Sequence, residues 1–311
     1  MDIHTLLHGS PDYPAELLRL DDPPELLRVR GTLPPRERMV AMVGTREASE
    51  RARSFAEELA EKLAMAGCAI ISGGALGIDT CAHEGALRGG GKTVVVQAPG
   101  LSHLYPPENL PLFERVREAG CELSEHSDES PPLRRYFLAR NRIIAALARV
   151  VIVVEAPFPS GAISTAHAAL KMGVPLLVVP AFPTDAHAEG SNLLLRLGAR
   201  VCLSEADALS VVDGAPTPEA IPTHILQRPK KPRVQRTKSA VLTQATLDLD
   251  LPVTLAAVLD AVAQDTIDLD TLAARAGLPF DVLQGRVTEL ELLGALSVDA
   301  VGRVTALARN R

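Results

Sequence analysis

Tryptophan is absent from this 311-residue chain, and six phenylalanines and three tyrosines are its whole aromatic content. With 47% of its residues hydrophobic, the core has to be aliphatic, built on Leu, Val, Ile and Ala. Cysteine is scarce as well. Cys68, Cys81, Cys121 and Cys202 form no CxxC pair, which argues against a zinc ribbon and a dithiol redox pair. Cys68 and Cys202 lie in apolar runs and read as small buried hydrophobes in a reducing cytosol. The eight histidines are scattered, with no HxH and no HExxH, so no metal site is expected. "GTREAS" stands where a dinucleotide fingerprint GxGxxG would follow the first strand, and GxxxxGK[ST] is missing, so NAD and ATP are not indicated. No apolar run reaches the length of a membrane span. The N-terminal "MDIHTLLHGSPDYP" has neither the basic nor the apolar region of a signal peptide. The expectation is a soluble cytoplasmic protein with no membrane partner.

What is present is a regular alternation. From Met39 onward, unbroken apolar runs such as "MVAMVG", "CAIISGG", "KTVVVQAPG", "RVVIVVEA" and "PLLVVPA" alternate with amphipathic helical stretches, and "RVCLS" closes the series. Apolar runs without a polar face are strands covered on both sides, and their alternation with helices predicts a parallel sheet. Residues 39–212 are therefore expected to form a doubly wound, Rossmann-like α/β domain. Residues 1–38 are proline-rich and weakly periodic and read as an extension strapped onto it. Residues 213–250 read as a linker, with Arg228, Lys230, Lys231, Arg233, Arg236 and Lys238 unopposed by any acid. Residues 251–311 read as a small winged-helix-like domain: "TLAAVLDAVAQ", "LDTLAARAG" and "FDVLQGRVTELELLGAL" as helices, then "SVDAVGRV" as a wing.

An open parallel sheet binds ligands beyond the carboxyl ends of its strands, where helix N-termini favour anions. The loops there contain Gly44-Thr45-Arg46, Ser72-Gly73-Gly74 and Ser160-Gly161, followed by Ser164. Glycine admits close approach of backbone N–H groups to phosphate, and the serines add donors. Any one such loop also serves as a plain tight turn; three along one sheet edge favour a site. Asp79 and His83, four apart on one helix, read more readily as a helix-start carboxylate and a satisfied histidine than as a catalytic pair. No catalytic residue is nominated.

The chain is acidic, at net −6, yet "RRYFLARNRIIAALARVVIVVEA" carries Arg134, Arg135, Arg140, Arg142 and Arg149 before its first acid. Arg140, Asn141 and Arg142 are placed at a helix start, where cations oppose the helix dipole and an anion would relieve the conflict. Phe137 stands among them. A base can stack on such a ring while arginines follow the phosphates. The alternative is a solvated basic face with Phe137 in the core.

Seven ordered segments, "YPAELLRLDDPPELLRVRG", "VGTREAS", "SGGALGIDTCAHEGAL", "GKTVVVQAPGLSHLYPPENLPLF", "FLARNRIIAALARVVIVVEA", "SGAISTAHAALKMG" and "SNLLLRLGA", resemble the DprA family of natural transformation. The resemblance implies a cofactor-free, non-enzymatic protein that binds and protects incoming single-stranded DNA. It also implies loading of RecA, help in displacing single-strand-binding protein, and action as a homodimer in competence and recombination. By the same resemblance, the DNA pocket falls on Arg46, Ser72, Gly73, Gly74, Arg134, Phe137, Arg140, Asn141, Arg142, Ser160, Gly161 and Ser164. Leu76 stands where the family often carries a cation. Arg46→Ala or Arg140→Ala is expected to weaken binding while leaving the domain folded.

Two features temper a simple DNA-binding picture of the whole chain. Between Asp265 and Ala300 there are seven acids against Arg275 and Arg286, so the C-terminal domain is a poor duplex reader and better suited to protein contact or regulation. Leu193, Leu194, Leu195 and Leu197 exceed one buried stripe and suit self-association. The rival reading is a nucleotide-processing enzyme of the related phosphoribohydrolase fold. Its PGGxGTxxE motif does not occur here.

Overall fold

The computed structural model describes residues 2–214, 258–259, 261–262, 267–292, 295–299 and 302–306. The basic stretch expected as a linker and most of the first C-terminal helix lie outside these residues.

The predicted doubly wound α/β architecture is observed. Its parallel strands are β3 (Met39–Val43), β4 (Ala69–Ser72), β5 (Thr93–Val96), β6 (Cys121–Ser124), β7 (Val150–Val153), β8 (Leu176–Val178) and β9 (Arg200–Val201). Crossover helices are α1 (Glu50–Met65), α2 (Ile78–Arg88), α3 (Leu110–Ala119), α4 (Arg134–Leu147), α5 (Gly161–Lys171) and α6 (Glu189–Arg196), and α7 (Glu205–Val212) follows β9. Period-two alternation sends the side chains of one strand to two different cores. Met39, Ala41 and Val43 of β3 join Ile143, Leu147 and Ile163 from α4 and α5. Val40 and Met42 join Leu59, Leu63 and Ala82 from α1 and α2.

Three elements differ from the sequence reading. Residues 1–38 are woven into the sheet rather than strapped across it: β1 (Ile3–Leu7) pairs antiparallel with β2 (Leu26–Gly31), and β2 pairs antiparallel with β6. The sheet therefore has nine strands, ordered β1-β2-β6-β5-β4-β3-β7-β8-β9. Strand β6 itself was not foreseen, because Glu122 and Ser124 interrupt its apolar run. Finally, α4 begins at Arg134, not at Arg140, because Tyr136, Phe137 and Leu138 continue the helix back to Leu133, just beyond Pro131 and Pro132. Arg140, Asn141 and Arg142 are mid-helix, and the cations at its uncapped N-terminus are Arg134 and Arg135.

In the C-terminal unit, β10 (Ile267–Asp268), α8 (Leu269–Ala276), α9 (Phe280–Leu292), β11 (Leu296–Val298) and β12 (Arg303–Ala306) form a winged-helix arrangement. Its sheet runs β10-β12-β11, with β11 and β12 as the expected wing.

Candidate functional site

Strand β3 pairs with β4 on one side and β7 on the other, and the strand order reverses between β3 and β7. Arg46 follows β3, directly at this switch point, where doubly wound folds bind ligands. Its turn is tightly held. Thr45 N–H donates to the Glu155 carbonyl at 2.6 Å, and the Glu155 carboxylate accepts from Ser49 N–H at 2.8 Å and from its hydroxyl at 2.9 Å. From the other side Gly77, at φ +83°, presses against the Thr45 and Arg46 carbonyls, where a Cβ has no room. The exposed guanidinium of Arg46 thus stands on an ordered base.

Arg46, Gly73, Ala75, Leu76, Tyr105, Pro106, Phe137 and Arg140 line a cleft of about 40 Å³. The Arg46 guanidinium lies 5.9 Å from the Phe137 ring centroid. Tyr105 meets the same ring edge-on, with centroids 5.4 Å apart and planes at 79°. No carboxylate lines the cleft, and none pairs with Arg46 among the described residues. Tyr105 is the site residue that sequence reasoning missed. Its signal was available: a rare aromatic in "HLYPPEN", after β5, at the same sheet edge.

Below the cleft lies a buried polar layer. Arg140, only 6% exposed, donates to the Gly73 carbonyl at 2.7 Å and to the Val96 carbonyl. Asp79 accepts from Gly73 N–H at 3.1 Å and Ala75 N–H at 3.3 Å. The expectation that the Gly73 N–H faces an anion is therefore corrected: Asp79 has taken it. Ser72 is likewise turned inward, donating to the Met42 carbonyl at 2.6 Å, and Gly74 packs on Phe113 and Val95. Burial pushes the Arg140 guanidinium down to about 10, opposed by Asp79 and reinforced by Arg46. Burial pushes the Asp79 carboxyl up, with Arg140 as the main opposing influence. Each charge is what makes the other tolerable there.

His83 is engaged elsewhere. Its Nδ1 lies 2.7 Å from the Thr93 hydroxyl, which itself donates to the Ile70 carbonyl at 3.0 Å. Nδ1 must then carry the proton. Burial, with Arg140 nearby, holds His83 down at about 3, so it stays neutral. Asp79 is the helix-start carboxylate expected, while His83 is satisfied on one nitrogen only: its buried Nε2 has no hydrogen-bond partner among the described residues.

The remaining expected site residues are dispersed. Asn141 donates to the Gly161 carbonyl at 3.2 Å and ties α4 to the start of α5, whose N-cap is Ser160. Arg142 points to another face, donating to Glu125 at 2.6 Å. Ser164 lines a separate cavity with Arg142 and the C-terminal unit. Arg134 lies over the Phe280 ring of α9, 5.2 Å from its centroid. Among the described residues, no group of three or more His, Cys, Asp or Glu could hold a metal ion, and no helix is long and apolar enough to cross a membrane.

Fold and cleft together define a doubly wound α/β protein with an arginine free of carboxylate partners among the described residues and two aromatic rings at its switch point, followed by a winged helix. The family description DNA recombination-mediator protein A matches residues 4–213, and DprA winged helix domain matches residues 243–300. The chain belongs to the DNA recombination-mediator protein A family. It is 34% identical over 307 residues to Protein Smf of Synechocystis sp., covering 94% of this chain and 77% of that protein. The X-ray structure of DprA from Streptococcus pneumoniae is similar at TM-score 0.63 and 34% identity, covering 67% of this chain and 74% of that one. A DprA structure from Helicobacter pylori, described for its single-stranded DNA binding mode, is similar at TM-score 0.61 and 32% identity, covering 68% of this chain and 96% of that one.

Proposed function

We propose that this protein binds single-stranded DNA at the switch-point cleft and delivers it to RecA. One observation carries the reading: an exposed arginine, without a carboxylate partner among the described residues, stands beside a pair of aromatic rings where doubly wound sheets take ligands. Phosphate is the natural partner for the arginine, and a base face for the rings. The absence of any carboxylate from the cleft lining favours binding over nucleotide hydrolysis. The single-stranded DNA binding described for the H. pylori relative supports the same ligand.

On this reading Arg46 and Phe137 touch the strand, with Gly73 and Gly161 bordering its path. Arg140 and Asn141 hold the loops in place from below. Arg134 and Arg135 extend the basic rim along the first turn of α4. Protection of the strand during transformation, displacement of single-strand-binding protein and loading of RecA belong to the same proposal. So do the division of the chain at 213–250 and homodimer formation. The dimer would use the edge beside β9, where Phe182 is 75% exposed, Leu203 66% and Leu197 63%; of the expected leucines only Leu194 is fully buried.

Titration of labelled oligo-dT at increasing salt tests the binding. Affinity that falls steeply with salt is expected; a flat response rejects the reading. A RecA strand-exchange assay on oligonucleotide coated with single-strand-binding protein tests delivery, with stimulation expected. Light scattering tests the dimer.

A further inference from the structure

The C-terminal unit sits directly on the proposed DNA rim. Helix α9 occupies the place in a winged helix that ordinarily enters a duplex groove. Here it is laid against its own chain. Gly285 of α9 is so close to Pro159 that a Cβ would run into the proline ring. Leu138 of α4 belongs to the apolar cluster of the C-terminal unit, with Phe280, Leu283 and Val287. The turn of the wing touches α4 as well: a Cβ on Gly302 would lie 3.1 Å from the Arg135 Cβ. At the far end His167 Nδ1 and a Glu291 oxygen are 3.6 Å apart.

The first turn of α4 therefore serves two partners. Phe137 faces the cleft, while Arg134, one helical turn earlier, stacks on Phe280. The docked unit holds the turn that the DNA reading needs. Between Asp265 and Ala300 it also carries seven acids against two arginines, a balance that repels a phosphate backbone rather than sharing the rim with it. The seam is incompletely filled. A cavity of about 360 Å³ opens within it, lined by Arg142, Ser164 and His167 on one side and by Val287, Glu291 and Val298 on the other. The gap is wide enough for water, so the side chains facing it stay solvated and the docking buries less apolar surface than a filled seam would.

We infer that the winged helix is a displaceable acidic cover: docked, it ties Arg134 to Phe280, and single-stranded DNA competes with it for the first turn of α4. This inference rests on the reading of the rim as a single-stranded DNA site.

The test compares the full chain with its Gly285→Arg variant, which cannot seat α9 on Pro159. Binding of fluorescein-labelled oligo-dT is followed by anisotropy, and the seam by hydrogen exchange in segments 159–168 and 283–291. Gly285→Arg is expected to exchange faster at the seam and to bind oligo-dT roughly five- to tenfold tighter. In the wild-type chain, oligo-dT is expected to speed exchange at the seam. A variant whose seam is open but which binds no tighter overturns the inference. So does DNA that slows exchange at the wild-type seam, since the unit would then be clamping the strand. Should Gly285→Arg fail to fold, the wild-type exchange experiment decides alone. Failure of both proteins to bind oligo-dT overturns the DNA reading itself, and that result is distinct from the others.

Discussion

Arg140 and Gly73, 67 positions apart in sequence, are joined by a guanidinium-to-carbonyl hydrogen bond of 2.7 Å. That bond makes Arg140 a strut beneath the cleft, with the buried Asp79 as its counter-charge. Arg140→Ala leaves the buried Asp79 carboxylate with backbone N–H partners but no counter-charge and removes the bonds to Gly73 and Val96, and is expected to cost about 3–5 kcal/mol of stability. Adding Asp79→Ala to it is expected to recover part of the loss. Thermal unfolding of the single and double variants measures both. The expectation that Arg140→Ala would leave the domain intact is thereby replaced.

Arg46→Ala is expected to behave in the opposite way. The side chain is exposed and has no ion pair to lose among the described residues, so stability should change by less than about 0.5 kcal/mol. Oligo-dT affinity should fall, and the slope of log affinity against log salt should become shallower by about one. Salt titrations of wild type and variant give the difference.

Phe137 and Tyr105 are expected to act as one unit. Loss of a stacked base on Phe137→Ala should cost about 1–3 kcal/mol of binding. Tyr105→Ala removes the edge-on contact that orients the Phe137 ring, so the two substitutions should be non-additive by about 0.5–1.5 kcal/mol. Tyr105→Phe should bind as wild type. A double-mutant cycle on oligo-dT affinity settles the coupling.

Glu122 and His83 give stability opposite pH dependences. Burial pushes Glu122 from 4.5 up to about 7, against the pull of Arg117 and Arg30. Its contribution is complete below pH 4.5 and is lost as pH rises through about 7, a change of roughly 3 kcal/mol. His83, held down from 6.5 to about 3, contributes fully above pH 6.5 and loses this as pH falls toward 3. His126, lowered by burial to about 4, adds to that acid limb. Glu122→Gln should abolish the decline through pH 7, leave the acid limb in place, and stabilise the protein at pH 8. Urea unfolding across pH measures the curve.

The strands with unbroken apolar runs, β3, β4, β5, β7 and β8, were legible because burial on both faces leaves no polar position to confuse the pattern. Strands β2 and β6 were not. Arg28 and Arg30 in the one and Glu122 in the other carry charges that look unsuited to a buried sheet. Those charges become tolerable only when folding brings Arg30 and Arg117 within 3.5 Å of Glu122, and Arg28 onto Asp128. Helix α4 was read too short for a related reason. Two arginines at an uncapped helix start contradict the local rule, and their partners are rings and a neighbouring unit rather than a nearby acid.

Local chemistry along the chain thus determined the alternation of strand and helix, the sheet edge proposed to bind, and the candidacy of Arg46 and Phe137. Glycine, hydroxyl and arginine after a buried strand mean the same thing wherever that strand ends up. Only the tertiary structure decided the direction of each side chain. It turned Arg140, Ser72 and the Gly73 N–H inward, sent Arg142 to Glu125, brought Tyr105 onto Phe137 and laid the winged helix on Arg134. A residue's type limits which bonds it can make, and its neighbours across the sheet decide which of them it does make.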